Sequence, residues 1–181
     1  MVGNVAGLFY AGTDTTSKAV TTALYLLARD KELQQELQHE ADTVDLEAIT
    51  LQDFYTKLPR LKSFLHEVHR HYGVPVLGLY VTQQIPFCGS FLSPGTDIIV
   101  LGRRIALSSQ DVPLGPHSSR PQMFDPRRYI VSGVDGIQAV SPSVKQGGFL
   151  AFGHGVRSCP GRIYSEALSY TVLVSLLQHF S

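Results

Sequence analysis

Residues 152–161 read Phe152-Gly153-His154-Gly155-Val156-Arg157-Ser158-Cys159-Pro160-Gly161, a glycine-rich loop that delivers one cysteine to the start of an apolar helix. A lone cysteine is more often a small inert hydrophobe than a ligand. Its neighbours here argue otherwise. Gly153, Gly155 and Gly161 permit positive φ and close backbone approach, which a loop needs if it folds tightly beneath a flat ligand. Phe152 offers an aromatic face to that ligand. Arg157 is a permanent cation two residues before the cysteine; it favours a thiolate and is able to grip a carboxylate with two N–H groups. A helix opening at Pro160 or Gly161 turns its positive end toward the sulfur. Cys159 is therefore read as a metal ligand.

Working outward, the opening stretch from Val2 to Arg29 has a helical pattern, with Val2, Val5, Ala6, Phe9, Val20, Leu24 and Leu27 recurring at three- and four-residue steps. Its middle, Ala11-Gly12-Thr13-Asp14-Thr15-Thr16, is rich in groups that compete with helical bonding. Two readings fit: an N-cap at Thr13 or Asp14 that starts a second helix, or a helix locally opened to make a pocket. Arg29 to Asp42 is a polar surface helix with Leu33 and Leu37 as its thin apolar stripe. Thr50-Leu51-Gln52-Asp53 starts another with a threonine–aspartate cap.

The helix from Leu58 to Tyr72 carries His66-Glu67-Val68-His69-Arg70-His71. A zinc site of the His-Glu-x-x-His kind requires histidine at position 70, where Arg70 stands. Glu67 and Arg70 are three apart on one helical face and so form an ion pair. The histidines are then read as surface residues. Strands are expected over 74–82, 85–91 and 97–101, separated by turns at Pro86, Gly89 and Ser93-Pro94-Gly95-Thr96. Pro113, Pro116, Pro121 and Pro126 predict an irregular meander from Arg103 to Ile130, and Ser132 to Gly148 reads as loop. The final helix, Arg162 to Phe180, is apolar nearly all round through Ile163, Ala167, Leu168, Val172, Leu176 and Leu177, and is expected in the core.

A chain of 181 residues that is 44% hydrophobic is enough for one sizeable core. Zero formal net charge offers nothing to a nucleic acid. With only Cys88 and Cys159 there is no disulfide framework, so a reduced compartment is the default; Cys88, in a turn-rich stretch, is read as structural. No run of eighteen apolar residues and no basic-then-apolar leader occurs, so any membrane contact falls to segments outside this chain and the localisation stays unknown.

On these residues the chain resembles the cytochrome P450 superfamily of haem-thiolate monooxygenases, whose cysteine loop runs Phe-x-x-Gly-x-Arg-x-Cys-x-Gly. Phe152, Gly155, Arg157, Cys159 and Gly161 fill all five fixed positions. Average residue usage produces such a match on the order of once in 10,000 chains of this length. Ala11 to Thr16 is similar to the family's central-helix motif, which implies Asp14 and Thr15 as the acid and alcohol that manage protons during oxygen activation and Gly12 as room for oxygen. Glu67 and Arg70 resemble the family's structural Glu-x-x-Arg pair. Phe124-Asp125-Pro126-Arg127-Arg128-Tyr129 resembles its aromatic-proline-arginine motif and implies Arg128 beside that pair, with backbone carbonyls as further acceptors. Gly89 to Thr96 is similar to a family hairpin. Two departures stand out: Tyr80 sits where many members place a basic residue for a haem propionate, and Leu107-Ser108-Ser109-Gln110-Asp111 replaces the usual His/Arg-Asp-Pro.

The resemblance implies a mainly α fold with a minor β region, the C-terminal haem-binding part of the P450 architecture, truncated at both ends. It forms one partial domain: central helix 1–29, Glu-x-x-Arg helix 58–72, strands and meander 74–148, cysteine loop and final helix 149–181. It implies haem b held by Cys159, with Phe152, Gly155, Arg157, Gly161 and Gly12 around it. The implied activity inserts one oxygen atom of O₂ into a small apolar substrate, with electrons from a separate reductase or ferredoxin. The alternatives are a truncated, non-catalytic haem-binding fragment and a haem-thiolate isomerase or dehydratase; Thr15 argues against the last, which has no need of a proton relay.

Overall fold

Polar caps decide where the helices begin. In the computed structural model, which describes residues 2–73, 76–108, 120–133, 136–139 and 149–180, α1 (Val2–Arg29) runs unbroken for 28 residues. The expected opening at Ala11–Thr16 is absent, and so is the alternative N-cap. Thr15 Oγ1 donates to the Ala11 carbonyl at 2.7 Å and Asp14 pairs with Lys18 one turn on at 2.7 Å, so both polar side chains are satisfied within the helix. α2 (Lys31–Ala41) begins just after Asp30, whose carboxylate accepts the Leu33 amide at 3.0 Å. α3 (Leu51–Lys57) has a reciprocal capping box between Thr50 and Asp53.

α4 (Pro59–Tyr72) starts with proline, and the residue before it, Leu58, offers no capping side chain. Glu40 of α2 takes that role across space: its two oxygens accept the Arg60 and Leu61 amides at 2.9 and 2.8 Å. A carboxylate at a helix N-terminus also meets the positive end of the helix dipole.

After α4 the chain turns to short strands. β1 (Val76–Tyr80) runs out; β2 (Ile85–Phe87) and β3 (Ser90–Leu92) make a tight hairpin; β4 (Asp97–Leu101) returns antiparallel to β1, from Val76 opposite Leu101 to Tyr80 opposite Asp97. The single strand expected over 85–91 is thus two. Cys88 and Gly89 both have positive φ, 48° and 78°, the backbone that a two-residue hairpin turn demands. Cys88, read as structural, stands exposed at that turn.

α5 (Gly102–Ser108) occupies the start of the expected meander: the four prolines all lie beyond it, so nothing interrupts the helix from Arg103 to Ser108. Positions 109–119, with Pro113, Pro116 and part of the Leu107–Asp111 departure, lie outside the described residues, as do 74–75. β5 (Ile130–Gly133) and β6 (Gly136–Ala139) form a third antiparallel pair inside the stretch expected to be loop. The rest of that loop, 140–148, is also outside the described residues. The chain closes with α6 (Arg162–His179).

The core is built by α1–α4 and α6. Leu37, Leu58, Leu61, Phe64, Leu173 and Val174 are sealed from solvent, and Phe54 stacks on Tyr170 with ring centroids 5.2 Å apart. The buried face of α6 is Glu166, Ser169, Tyr170, Leu173, Val174 and Leu177, whereas Ile163 and Leu168 are exposed. That face differs from the one apolarity alone selects. Its polar members are satisfied: Tyr55 donates to Glu166 Oε2 at 2.6 Å, Arg162 to Glu166 Oε1 at 2.9 Å, and Ser169 to the Ser165 carbonyl at 2.8 Å. α1 meets α6 at buried Thr16, whose hydroxyl pairs with that of Ser165 at 3.0 Å. In the first half of α1, Val5, Leu8, Phe9 and Tyr10 are exposed. Among the described residues no helix is long and apolar enough to cross a membrane.

Because Glu40 is the cap of α4, Glu40→Ala is expected to lower the unfolding free energy by about 1–3 kcal/mol, the cost of leaving buried donors without a partner. A urea titration against the unaltered chain measures it; an unchanged midpoint would remove Glu40 from this role.

Candidate functional site

The cysteine loop folds on its own backbone. Gly153 and Gly155 take φ of 71° and 68°, which β-carbon-bearing residues avoid, and a single 3₁₀ turn spans Gly155–Arg157. The Cys159 amide donates to the Phe152 carbonyl at 2.7 Å, the Gly153 amide to Leu150 at 2.9 Å and the Ser158 amide to Gly155 at 3.0 Å. Cys159 is free and exposed, and Gly161 is the N-cap of α6, so the cysteine lies just ahead of the helix. A Cβ added at Gly161 would meet the Cys159 sulfur at 3.9 Å.

Above this loop lies a cavity of about 790 Å³, lined from one side by Gly12, Asp14 and Thr15 of α1 and from the other by Phe152, Arg157 and Cys159. Two stretches far apart in the chain thus share one space. Nothing lies within 4 Å of a Cβ built at Gly12, so the helix surface there is open. Asp14 and Thr15 do not bond to each other; each is committed to its own helical partner, as described above. Gly155 and Gly161 shape the loop, Gly155 by its backbone and Gly161 as the helix cap. Tyr80 does not line the cavity and is largely exposed.

Behind the cavity, Glu67 is completely buried between two arginines. Arg70 Nε and Nη2 donate to its two oxygens at 2.7 Å each, Arg128 Nε to the same oxygens at 3.1 and 3.2 Å, and the Asp125 amide to Oε1 at 2.9 Å. The guanidiniums spend their other N–H groups on backbone: Arg70 on Ala106, Pro121 and Met123, Arg128 on Arg120 and Met123. These carbonyls belong to α5 and to the turns that follow. The carboxylate therefore fastens that segment to α4.

Two of the three histidines correct the expectation of surface residues, His66 being buried and His69 half-buried. His66 is 2% exposed and packs edge-on against Tyr129 and Phe149, centroids 5.7 and 6.0 Å away. His69 lies tilted on Phe152 at 5.0 Å and lines the cavity; its Nε2 is closed to solvent with no hydrogen-bond partner. His71 joins the Gln122 carbonyl at 2.9 Å. Burial pushes His66 well below the ordinary imidazole value and holds His69 at about 4. Sequence reasoning also passed over Thr16 and Ser165, which hold α1 to α6; a hydroxyl in each of two apolar helices was the available signal.

The α1 surface at Gly12 and the cysteine loop thus share one cavity, and the buried glutamate–arginine cluster sits on α4, the helix that also lines it. The chain belongs to the cytochrome P450 family, whose sequence model matches residues 1–181. It is 30% identical over 178 residues to cytochrome P450 27C1 of Danio rerio, covering 98% of this chain and 31% of that protein. The mitochondrial sterol 26-hydroxylase of Rattus norvegicus is 30% identical over 181 residues, 99% of this chain and 32% of the relative. A cytochrome P450 monooxygenase of Coprinopsis cinerea is 29% identical over 180 residues, 97% and 32% respectively. The chain spans about a third of the length of the curated relatives it matches.

The buried imidazoles give stability a pH dependence. Both histidines have folded values depressed below that of the unfolded chain, so the stability they contribute is fully present above about pH 6.5 and is lost as pH falls toward the folded values. The urea midpoint is expected to fall between pH 7 and pH 5, and to fall less in His66→Leu. A pH-independent midpoint over that window would show the rings to be solvated.

Proposed function

We propose that this chain carries the haem-binding part of a monooxygenase that inserts one atom of O₂ into a small apolar substrate, with electrons arriving from a separate reductase or ferredoxin. One observation supports it above the others: the cavity that Cys159 shares with Gly12 and Thr15. Its volume lies within the range of small-molecule sites. Its lining fits a large flat group, with a potential thiolate and an arginine from the loop, an aromatic face at Phe152, open space over Gly12 and one buried imidazole nitrogen without a partner.

In this reading Cys159 would hold haem b through its thiolate, Arg157 would face a carboxylate of the group, and Phe152, Gly155 and Gly161 would shape its bed. Haem iron bound through thiolate supplies electron density that favours O–O cleavage. The chain's own contribution is proton management and exclusion of water. The Thr15 hydroxyl donates to Ala11, so its oxygen keeps lone pairs that accept from, and orient, a cavity water. Asp14, paired to a solvent-exposed lysine at the rim, exchanges protons with bulk solvent. Glu67, Arg70 and Arg128 act as scaffold. The names of the relatives, a sterol hydroxylase and a monooxygenase, agree with an apolar substrate and this reaction class.

The Thr15–Ala11 bond favours a second reading, in which Thr15 and Asp14 only complete a helix. Coupling decides between them. In the full-length protein that contains this chain, Thr15→Ala is expected to keep its haem and consume reductant while product per reductant falls and hydrogen peroxide rises; Asp14→Asn is expected to slow the whole cycle. Unchanged coupling in folded Thr15→Ala leaves the residue a helical role alone. Cys159→Ala is expected to abolish the red-shifted Soret band of the reduced carbon monoxide complex.

A further inference from the structure

The side-chain donors that α1 turns to the cavity are spent. Thr15 gives its proton to Ala11, Thr22 to the Lys18 carbonyl at 2.8 Å, Thr16 is paired with Ser165, and Lys18 is held by Asp14. Arg157 stands exposed in the loop without a partner among the described residues. Tyr72 and Tyr164, which also line it, are exposed, so on the buried wall one unpartnered ring nitrogen is left. Three imidazole nitrogens of α4 are closed to solvent and unpartnered, and of their residues only His69 lines the cavity.

The ring is not free to turn away. It lies on one side of Phe152, centroids 5.0 Å apart at 60°, while the Arg162 guanidinium lies 5.2 Å from the same phenyl ring and is itself held by Glu166. Phe152 in turn accepts the Cys159 amide, so His69 is fixed relative to the cysteine loop. Gly153, the next residue of that loop, approaches the Leu77 side chain of β1, the strand that ends in Tyr80. β1 brings Leu77 to the cavity and no basic residue.

A buried N–H without an acceptor costs a fold far more than one that is paired, and native structures retain few such groups without cause. An anionic oxygen on the cavity's occupant is the acceptor that this wall lacks. Haem b carries two carboxylates. We propose that His69 is a cofactor-binding residue whose imidazole N–H donates to a propionate of the haem, a contact that β1, with Tyr80 in place of a cation, does not supply. The ring is the right chemistry for the place: burial keeps it uncharged until it meets an anion, so the empty wall bears no unpaired charge. The proposal rests on the haem-thiolate reading above.

The test titrates the full chain with haem b and, separately, with its dimethyl ester, whose propionates carry no charge. Unaltered chain, Cys159→Ala, His69→Leu and His69→Gln are compared by dissociation constant. His69→Leu is expected to weaken haem b by about ten- to a hundredfold, the worth of a hydrogen bond to a charged group, and to leave the ester's affinity within about twofold of the unaltered chain's. His69→Gln, which retains an N–H donor, is expected to recover most of the loss. Equal weakening of acid and ester, or no weakening at all, would assign the ring to packing and overturn the proposal, as would loss of the helical circular-dichroism signal in both variants. Failure of the unaltered chain to bind either haem, or a thiolate spectrum that survives Cys159→Ala, would instead bring down the haem-thiolate reading and His69 with it.

Discussion

A fully buried carboxylate, Glu67, is the constraint on which the arrangement rests. An ion taken out of water costs several kcal/mol even after the protein relaxes, and only dense donation repays it. Here two guanidiniums and the Asp125 amide converge on the two oxygens. Each guanidinium, sealed from solvent as well, must place its remaining N–H groups somewhere, and it finds carbonyls at Ala106, Arg120, Pro121 and Met123. Irregular backbone is thereby tied to the one helix that passes behind the cavity. The Arg120–Ile130 segment makes turns of its own, with Asp125 Oδ1 accepting the Arg127 amide at 3.0 Å, and the charges fasten those turns to α4.

From α4 the order passes outward to the site. His66 wedges against Phe149 at the entry to the cysteine loop, and His69 meets Phe152 within it. At 5.2 Å from the centroid of that phenyl ring, Arg162 connects the loop to α6 together with Glu166, and Tyr55 connects α6 to α3. The Thr16–Ser165 pair then sets α1 over the same loop. Cys159 and Thr15, far apart in sequence, face one cavity that these contacts hold together. The weak point is the outer rim, where the first half of α1 carries exposed apolar side chains and Asp14 is held only by a solvated lysine.

Motif spacing made the family and the mainly α class legible: the cysteine loop, the glutamate–arginine step and the proline–arginine turn each place chemically unusual residues at short, fixed distances. Periodicity gave the helices, and Thr50 with Asp53 gave a cap. What escaped was tertiary. The exposure of a histidine depends on how much covers its helix, and α4 is covered on nearly every side, so His66 and His69 went inside. The buried face of α6 includes Glu166 and Ser169 because Tyr55, Arg162 and the Ser165 carbonyl are there to meet them, which apolar periodicity cannot register. A turn was legible at Gly89, but not that Cys88 shares it, because cysteine seldom takes positive φ, and the β5–β6 pair was hidden by its glycines. The Thr15 back-bond shows the limit at the site itself: a run of polar residues that suggests a broken helix is also compatible with an intact one.

The most direct test of the account is the unfolding free energy of Glu67→Ala, measured by urea titration beside the unaltered chain. If Glu67 is the buried hub, two guanidiniums are left without their counter-ion and the loss should be about 3–5 kcal/mol, a large share of the roughly 5–15 kcal/mol that holds a domain together. A change below about 1 kcal/mol, the worth of a solvent-exposed pair, would contradict it.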